Sequence, residues 1–318
     1  MKAWRFYGTG KPLHMDDVEE PHAGMGEVVV GIKAAGVCHS DVSTLDDPGW
    51  MAFYHRVPIA LGHENAGVIL EVGDGMEKWK VGDRVGLAPM MDDTHGLGSG
   101  DWDGGFGEQL IAKERNLVAL PDEVPFDMGA VATDAGLTAY HAMVAQGGAK
   151  KGMKIGVIGL GGLGYVGARV AVLLGAEVYG ADVSPSARGL ANEIGLAGVG
   201  ESIEEFTDKG LELVVDYAGF GVTSVSALNA LSRSGTLVQV GMGKLDIEIN
   251  TFPLITKQLM FKGSVSGTKE DLAALYELMR SGDLNPPINR ITQAEIPDAI
   301  EKLRVGGVVG RFVALYDN

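Results

Sequence analysis

The stretch KIGVIGLGGLGYVGARVAVLLG, residues 154–175, decides how the middle of this chain folds. KIGVI has strand character, LGYVGARVAVLLG has helix character, and glycines crowd the junction between them. Within it GLGGLG, 159–164, fits the G-x-G-x-x-G pattern. Gly159 permits a tight turn, Gly161 lets a pyrophosphate approach the backbone, and Gly164 allows close helix–strand packing. Gly162 and Leu163 open the helix, whose first N–H groups are free to meet phosphate oxygens. The stretch is apolar enough to imitate a membrane span. Its glycines and Arg169 favour a strand, a turn and a buried helix instead.

Working outward, strands and helices alternate: EVYGADVS, SARGLANEIG, LELVVDYAG, SVSALNALSRSG and TLVQVGMG, with LMFKGSVSG as the last strand. This alternation predicts a doubly wound parallel sheet. An acidic residue belongs at the end of the second strand, and Asp182 stands there, 21 residues after Gly161. A carboxylate accepts hydrogen bonds from both ribose hydroxyls and repels a 2′-phosphate, so NAD(H) is favoured over NADP. Arg188 argues the other way if its loop folds back. Upstream, DMGAVATDAGLTAYHAMVAQ reads as a helix pair. Downstream, EDLAALYELMRSG reads as an amphipathic helix stopped by Gly282, and the tail VVGRFVALYDN as a strand.

Residues 1–125 read as short β-rich runs broken by Gly, Pro and Asp, which predicts a small antiparallel or barrel-like domain. The 318 residues suggest two domains. A net charge of −16 makes nucleic acid and anionic membranes poor partners. No apolar leader opens the sequence, and one cysteine suits a reducing cytoplasm better than a disulfide framework.

That cysteine, Cys38, lies in GVCHSD, 36–41. A lone thiol is usually a small buried apolar group. GHENAG, 62–67, adds His63 and Glu64, and a thiolate with an imidazole makes a good pair of zinc ligands. A catalytic site needs a third ligand, which spacing alone does not supply.

The order GVCHSD, PIALGHENAGV, VGDRV, GGFGEQ, GLTAY, GLGGLG, GRFVAL resembles the zinc-dependent medium-chain alcohol dehydrogenases across nearly the whole chain. The resemblance implies an α/β protein: a GroES-like β-rich catalytic domain, 1–134 and 267–318, interrupted by a Rossmann domain, 135–266. It implies reversible hydride transfer between a primary or secondary alcohol, with its aldehyde or ketone, and NAD(H), with one catalytic Zn2+. In the family a cysteine usually precedes G-x-T-x-Y; the matching residue here is Asp134. A carboxylate is an acceptable ligand, so the implied metal set is Cys38, His63 and Asp134, with Glu64 as an exchanging fourth ligand. A harder oxygen in place of sulfur is expected to leave the metal more Lewis-acidic and more easily lost. The family's cysteine-rich lobe is missing between Gly86 and Gly107, so no structural zinc is expected. Asp92, Asp93, His95, Asp101 and Asp103 are expected to form a solvated loop rather than a metal cluster.

Further roles follow from the same resemblance. Ser40 holds the hydroxyl that bonds the alkoxide and starts a proton relay, continued by Ser43 where relatives have a histidine; His55 is a less favoured substitute. His39 and Arg311 contact the pyrophosphate, and Asp41 orients the ligand histidine. Trp50 and Pro89 fall near the substrate, and Phe53, Tyr54, Met90 and Trp102 come from nearby loops. Relatives associate through the Rossmann sheet, so a homo-oligomer, dimer or tetramer, is expected, with LMFKGSVSG as the contact edge. The alternatives are a zinc-free enone or quinone reductase, a polyol dehydrogenase, and a dinucleotide-binding protein without turnover.

Overall fold

The computed structural model describes residues 1–90 and 96–317. The chain divides into two units, Met1–Ala135 with Thr268–Asn318, and Gly136–Gly267. The first unit opens with strands β1 (Lys2–Phe6), β2 (His14–Asp17), β3 (Glu27–Val37), β4 (Ile59–Ala60), β5 (Glu64–Val72), β6 (Arg84–Leu87), β7 (Gln109–Lys113) and β8 (Leu117–Ala119). The second unit holds β9 (Lys154–Ile158), β10 (Glu177–Ala181), β11 (Gly198–Gly200), β12 (Leu211–Asp216), β13 (Leu231–Gln239) and β14 (Met260–Gly263). Strands β15 (Ile288–Thr292) and β16 (Arg311–Leu315) return to the first unit.

In the first unit the main sheet runs β15-β16-β3-β5-β6-β8, with β7 also on β3. Its pairs are antiparallel except β15 with β16. EVVVGIKAAGV is nearly all apolar because β3 is central, bonded to β16, β5 and β7 and buried along most of its length. Val28, Val30, Ile32, Ile69, Leu87 and Phe312 share one core. The amphipathic helix Lys269–Arg280 is capped by Thr268 and ends before Gly282, at φ +78°. It buries Leu272, Leu275, Tyr276 and Met279, each stabilising the unit by about 1.5–3 kcal/mol. The Tyr276 hydroxyl donates to the Gly129 carbonyl at 3.1 Å and lies over Gly86, where a Cβ would sit 1.7 Å from it.

The expected helix pair is not a pair. An α-helix over Phe126–Val131 passes into a π-helix over Ala132–Gly136, then an α-turn over Leu137–Tyr140 and a second π-helix over His141–Gln146. The stretch has no proline, and of its two glycines Gly129 lies within the first helix and Gly136 sits in ordinary right-handed helix (φ −67°, ψ −52°), so nothing breaks the helical run.

In the second unit six parallel strands take the order β11-β10-β9-β12-β13-β14. Strand order reverses between β9 and β12, which places a crevice at their C-terminal ends. LMFKGSVSG supplies β14, the edge strand beside β13. No helix among the described residues is long and apolar enough to cross a membrane.

Candidate active site

Cys38 leaves β3 and caps the helix His39–Asp46, whose third residue, Asp41, accepts the Cys38 N–H at 2.8 Å. Gly36 pairs with Glu64 across the sheet, and a Cβ there would lie 2.0 Å from Glu64 Oε2. Glycine is what lets this carboxylate cross the neighbouring strand. The first π-helix is tied down by fully buried Thr133. Its hydroxyl donates to the Ala130 carbonyl at 2.7 Å and accepts the Asn65 N–H at 3.0 Å. Asp134 follows it.

These anchors gather four ligand atoms, from Cys38, His63, Glu64 and Asp134, within 4.8 Å of one another. Asp134 Oδ2 lies 3.4 Å from His63 Nε2 and 3.8 Å from Cys38 Sγ. Tetrahedral zinc bonds of ordinary length space such donors about 3.3–3.5 Å apart. His63 Nδ1 is buried without a hydrogen-bond partner, 3.7 Å from Asp41 Oδ1. That arrangement leaves Nε2 facing the cluster, as a ligand histidine backed by a carboxylate requires. A thiolate with the carboxylates of Asp41, Glu64 and Asp134 against the Arg311 guanidinium carries a formal −3, which a dication lowers to −1. The donor set therefore fits Zn2+.

The charges are strongly coupled. Burial opposes the charge on His63, yet Asp41 and Asp134 outweigh it and hold the imidazole well above its usual range. Burial pushes Glu64 up to about 7 against the pull of Arg311. Burial also raises Asp41, partly offset by His63. In Asp134 burial is overcome by the hydrogen bond and charge of His63, and its carboxyl lies well below the usual range.

Ser40 Oγ sits 3.2 Å from His63 Nε2, beside the cluster. Ser43 Oγ instead turns back on its own helix and donates to the His39 carbonyl at 3.3 Å, while the His39 side chain is exposed. Arg311 meets the cluster's other carboxylate. Its guanidinium is buried against Glu64, with Nε 3.0 Å from Oε2 and Nη2 on Oε1, because a fully buried carboxylate requires a charged partner. Trp50 packs against Phe53 with the two rings tilted by 58°, and Pro89 is buried with its carbonyl accepting the Leu97 N–H at 2.7 Å. Tyr54 belongs to the core, and Trp102 packs on it beneath Lys113. Asp92, Asp93 and His95 lie outside the described residues. Asp103 anchors rather than merely solvates its loop, accepting the Ala60 N–H and Arg56 Nη2, both at 2.8 Å; Asp101 meets His55 at 3.0 Å. The roles of Gly36, Thr133 and the Arg311–Glu64 pair are not visible in the sequence, although Gly36 opens GVCHSD and Thr133 adjoins Asp134.

In the second unit Gly159 adopts φ +82°, and a Cβ on Gly164 would lie 1.6 Å from the Gly159 carbonyl oxygen. A Cβ on Gly161 would meet nothing within 4 Å, and no side chain caps the helix Gly162–Leu173 that starts there. The open approach and uncapped N–H groups fit a pyrophosphate. Asp182 closes the other side: its carboxylate accepts the Leu160 N–H at 2.7 Å and the Ser184 N–H at 2.8 Å.

Comparison with known proteins points to one family. Residues 24–122 match the family described as alcohol dehydrogenase GroES-like domain, and residues 162–281 the family described as zinc-binding dehydrogenase. An alcohol dehydrogenase of Geobacillus stearothermophilus is 30% identical, covering 96% of this chain and 97% of the relative. An NAD-dependent alcohol dehydrogenase of Sulfolobus acidocaldarius is 28% identical over 98% and 99%. The crystal structure of the alcohol dehydrogenase from Aeropyrum pernix aligns with a TM-score of 0.91 at 29% identity, covering 99% of this chain and 100% of that one.

Proposed function

The chain belongs to the zinc-dependent medium-chain alcohol dehydrogenases, and from that premise we propose that it uses one catalytic Zn2+, held by Cys38, His63 and Asp134, and prefers NAD(H) to NADP(H). The observation that carries the metal assignment is the cluster of sulfur, nitrogen and oxygen donors within 4.8 Å. Bound there, zinc would act as a Lewis acid that favours the alkoxide of the substrate and polarises the carbonyl of the product. The protein's own groups supply the rest. Asp41, 3.7 Å from His63 Nδ1, supplies the carboxylate behind the ring while Nε2 faces the cluster. Ser40 Oγ, at 3.2 Å from His63 Nε2, is placed to take the hydroxyl proton. With Ser43 bonded to its own helix, the next acceptor after Ser40 is water or a cofactor ribose hydroxyl. Arg311 compensates Glu64, which otherwise would add an unpaired buried charge beside the ligands.

The preference for NAD rests on Asp182, whose carboxylate is fixed at the end of β10 beside the glycine turn. The substrates are small alcohols and their aldehydes or ketones. We place the protein in the cytoplasm, given its single cysteine, and expect a homo-oligomer through the exposed edge strand β14. The assignment is tested by zinc per chain and by NADH formation across a panel of alcohols, for wild type and Cys38→Ser. Loss of both metal and turnover is expected; equal metal and equal rates in the two proteins refute it.

A further inference from the structure

The end of strand β10 carries a feature beyond the acidic residue. Asp182 and the short helix Pro185–Arg188 form one loop. Arg188 folds back along it, and Nη1 donates to the Asp182 and Val183 carbonyls at 2.7 and 3.0 Å. Its other terminal nitrogen, Nη2, is held 3.0 Å from Glu201 Oε1. Glu201 follows β11, which pairs in parallel with β10, and the Asp182 N–H donates to the Gly200 carbonyl at 3.1 Å. Glu201 is itself placed by its neighbours, because its N–H donates to Glu205 Oε1 at 2.8 Å. A guanidinium beside the ribose end would normally invite a 2′-phosphate, for which its planar fork is well shaped. Here Nη1 is occupied by main-chain carbonyls and Nη2 by a carboxylate.

We propose that Glu201 is a specificity-determining residue: it occupies Arg188, so that the loop rejects a dinucleotide carrying a 2′-phosphate. The inference rests on the NAD reading given above and adds to it. Asp182 disfavours the phosphate by direct repulsion, whereas Glu201 withholds the Arg188 guanidinium. Both partners are near the surface, with side chains 21% exposed for Arg188 and 73% for Glu201. The effect is therefore modest, on the order of two- to fivefold in relative affinity.

The test is titration of the full chain with NADH and with NADPH, followed by nicotinamide fluorescence, which needs no turnover. In Glu201→Gln the affinity for NADPH relative to NADH rises about two- to fivefold, and adding Arg188→Ala removes the gain. Glu201→Ala moves the ratio in the same direction. An unchanged ratio in both single variants overturns the proposal while leaving the NAD reading intact. A gain that survives Arg188→Ala also overturns it. If wild type binds NADPH more tightly than NADH, the NAD reading fails and this inference fails with it.

Discussion

Thr133→Val tests whether the metal cluster depends on the hydroxyl that ties the π-helix to β5. The substitution keeps shape and β-branching but removes one donor and one acceptor. Ala130 loses a hydroxyl partner at 2.7 Å. Asn65, fully buried, loses the acceptor for its N–H at 3.0 Å. A buried N–H left without a partner costs about 1–3 kcal/mol. For a unit of this size about 2 kcal/mol corresponds to a fall in Tm of roughly 4–8 °C. Asn65 is next to Glu64 and Thr133 next to Asp134, so the damage falls on two ligand-bearing segments together. Zinc affinity is expected to drop about tenfold, the lower end for outer-sphere partners of a metal site. Tm is read by circular dichroism on zinc-free protein, and affinity by competition with a chromogenic chelator. Thr133→Ser is the control: it keeps both hydrogen bonds, loses a methyl at a cost of about 1 kcal/mol, and retains zinc. Wild-type Tm and affinity in Thr133→Val, or equal zinc loss in Thr133→Ser, would refute the reasoning.

Two further predictions concern the dinucleotide turn and the buried acid. Gly161→Val places a side chain in open space at φ −72°, so Tm is kept while NADH binding weakens at least tenfold; Gly164→Ala instead drives a methyl into the Gly159 carbonyl and lowers Tm. In zinc-free protein Glu64 is protonated more readily folded, near pH 7, than unfolded, where the ordinary value is 4.5. Its contribution is therefore fully present below about pH 4.5 and is lost as pH rises through 7, a change of about 3 kcal/mol. Urea melts between pH 5 and 7.5 are expected to show a steeper fall in wild type than in Glu64→Gln, where Asp41 and His63 still contribute, whatever the difference in absolute stability.

Much of the second unit was legible because its signals are local. A tight turn, a close backbone approach and an apolar strand each select residue types within a few positions, so GLGGLG and its flanks announce strand, turn and helix together. The first unit was less legible. Its pairings join β3 to β16 over most of the chain, and nothing local to GRFVAL says that Arg311 would be buried on Glu64. That pairing follows from a long-range demand: Glu64 begins a buried strand, and its charge must be matched by whatever the returning tail brings.

Asp134 shows where sequence reasoning stops and why. Its identity as an oxygen donor was readable beside GLTAY, but its direction was not, because the residue sits in a π-helical turn that the helix-pair reading did not anticipate. In a regular α-helix each residue advances about 100°, and one extra residue per turn rotates every following side chain. The extra residue is tolerated here because Thr133 spends its hydroxyl on both the helix and β5, recovering hydrogen bonds that the wider turn disrupts. The π-turn thus aims a short side chain, one carbon shorter than glutamate, at a sulfur 3.8 Å and a nitrogen 3.4 Å away. If that geometry matters, lengthening the arm is more harmful than changing the donor. Asp134→Glu should then hold zinc less well than Asp134→Cys, a contrast that equilibrium dialysis against buffered zinc reads directly. The reverse order would mean that donor chemistry, and not the reach set by the π-turn, governs the site.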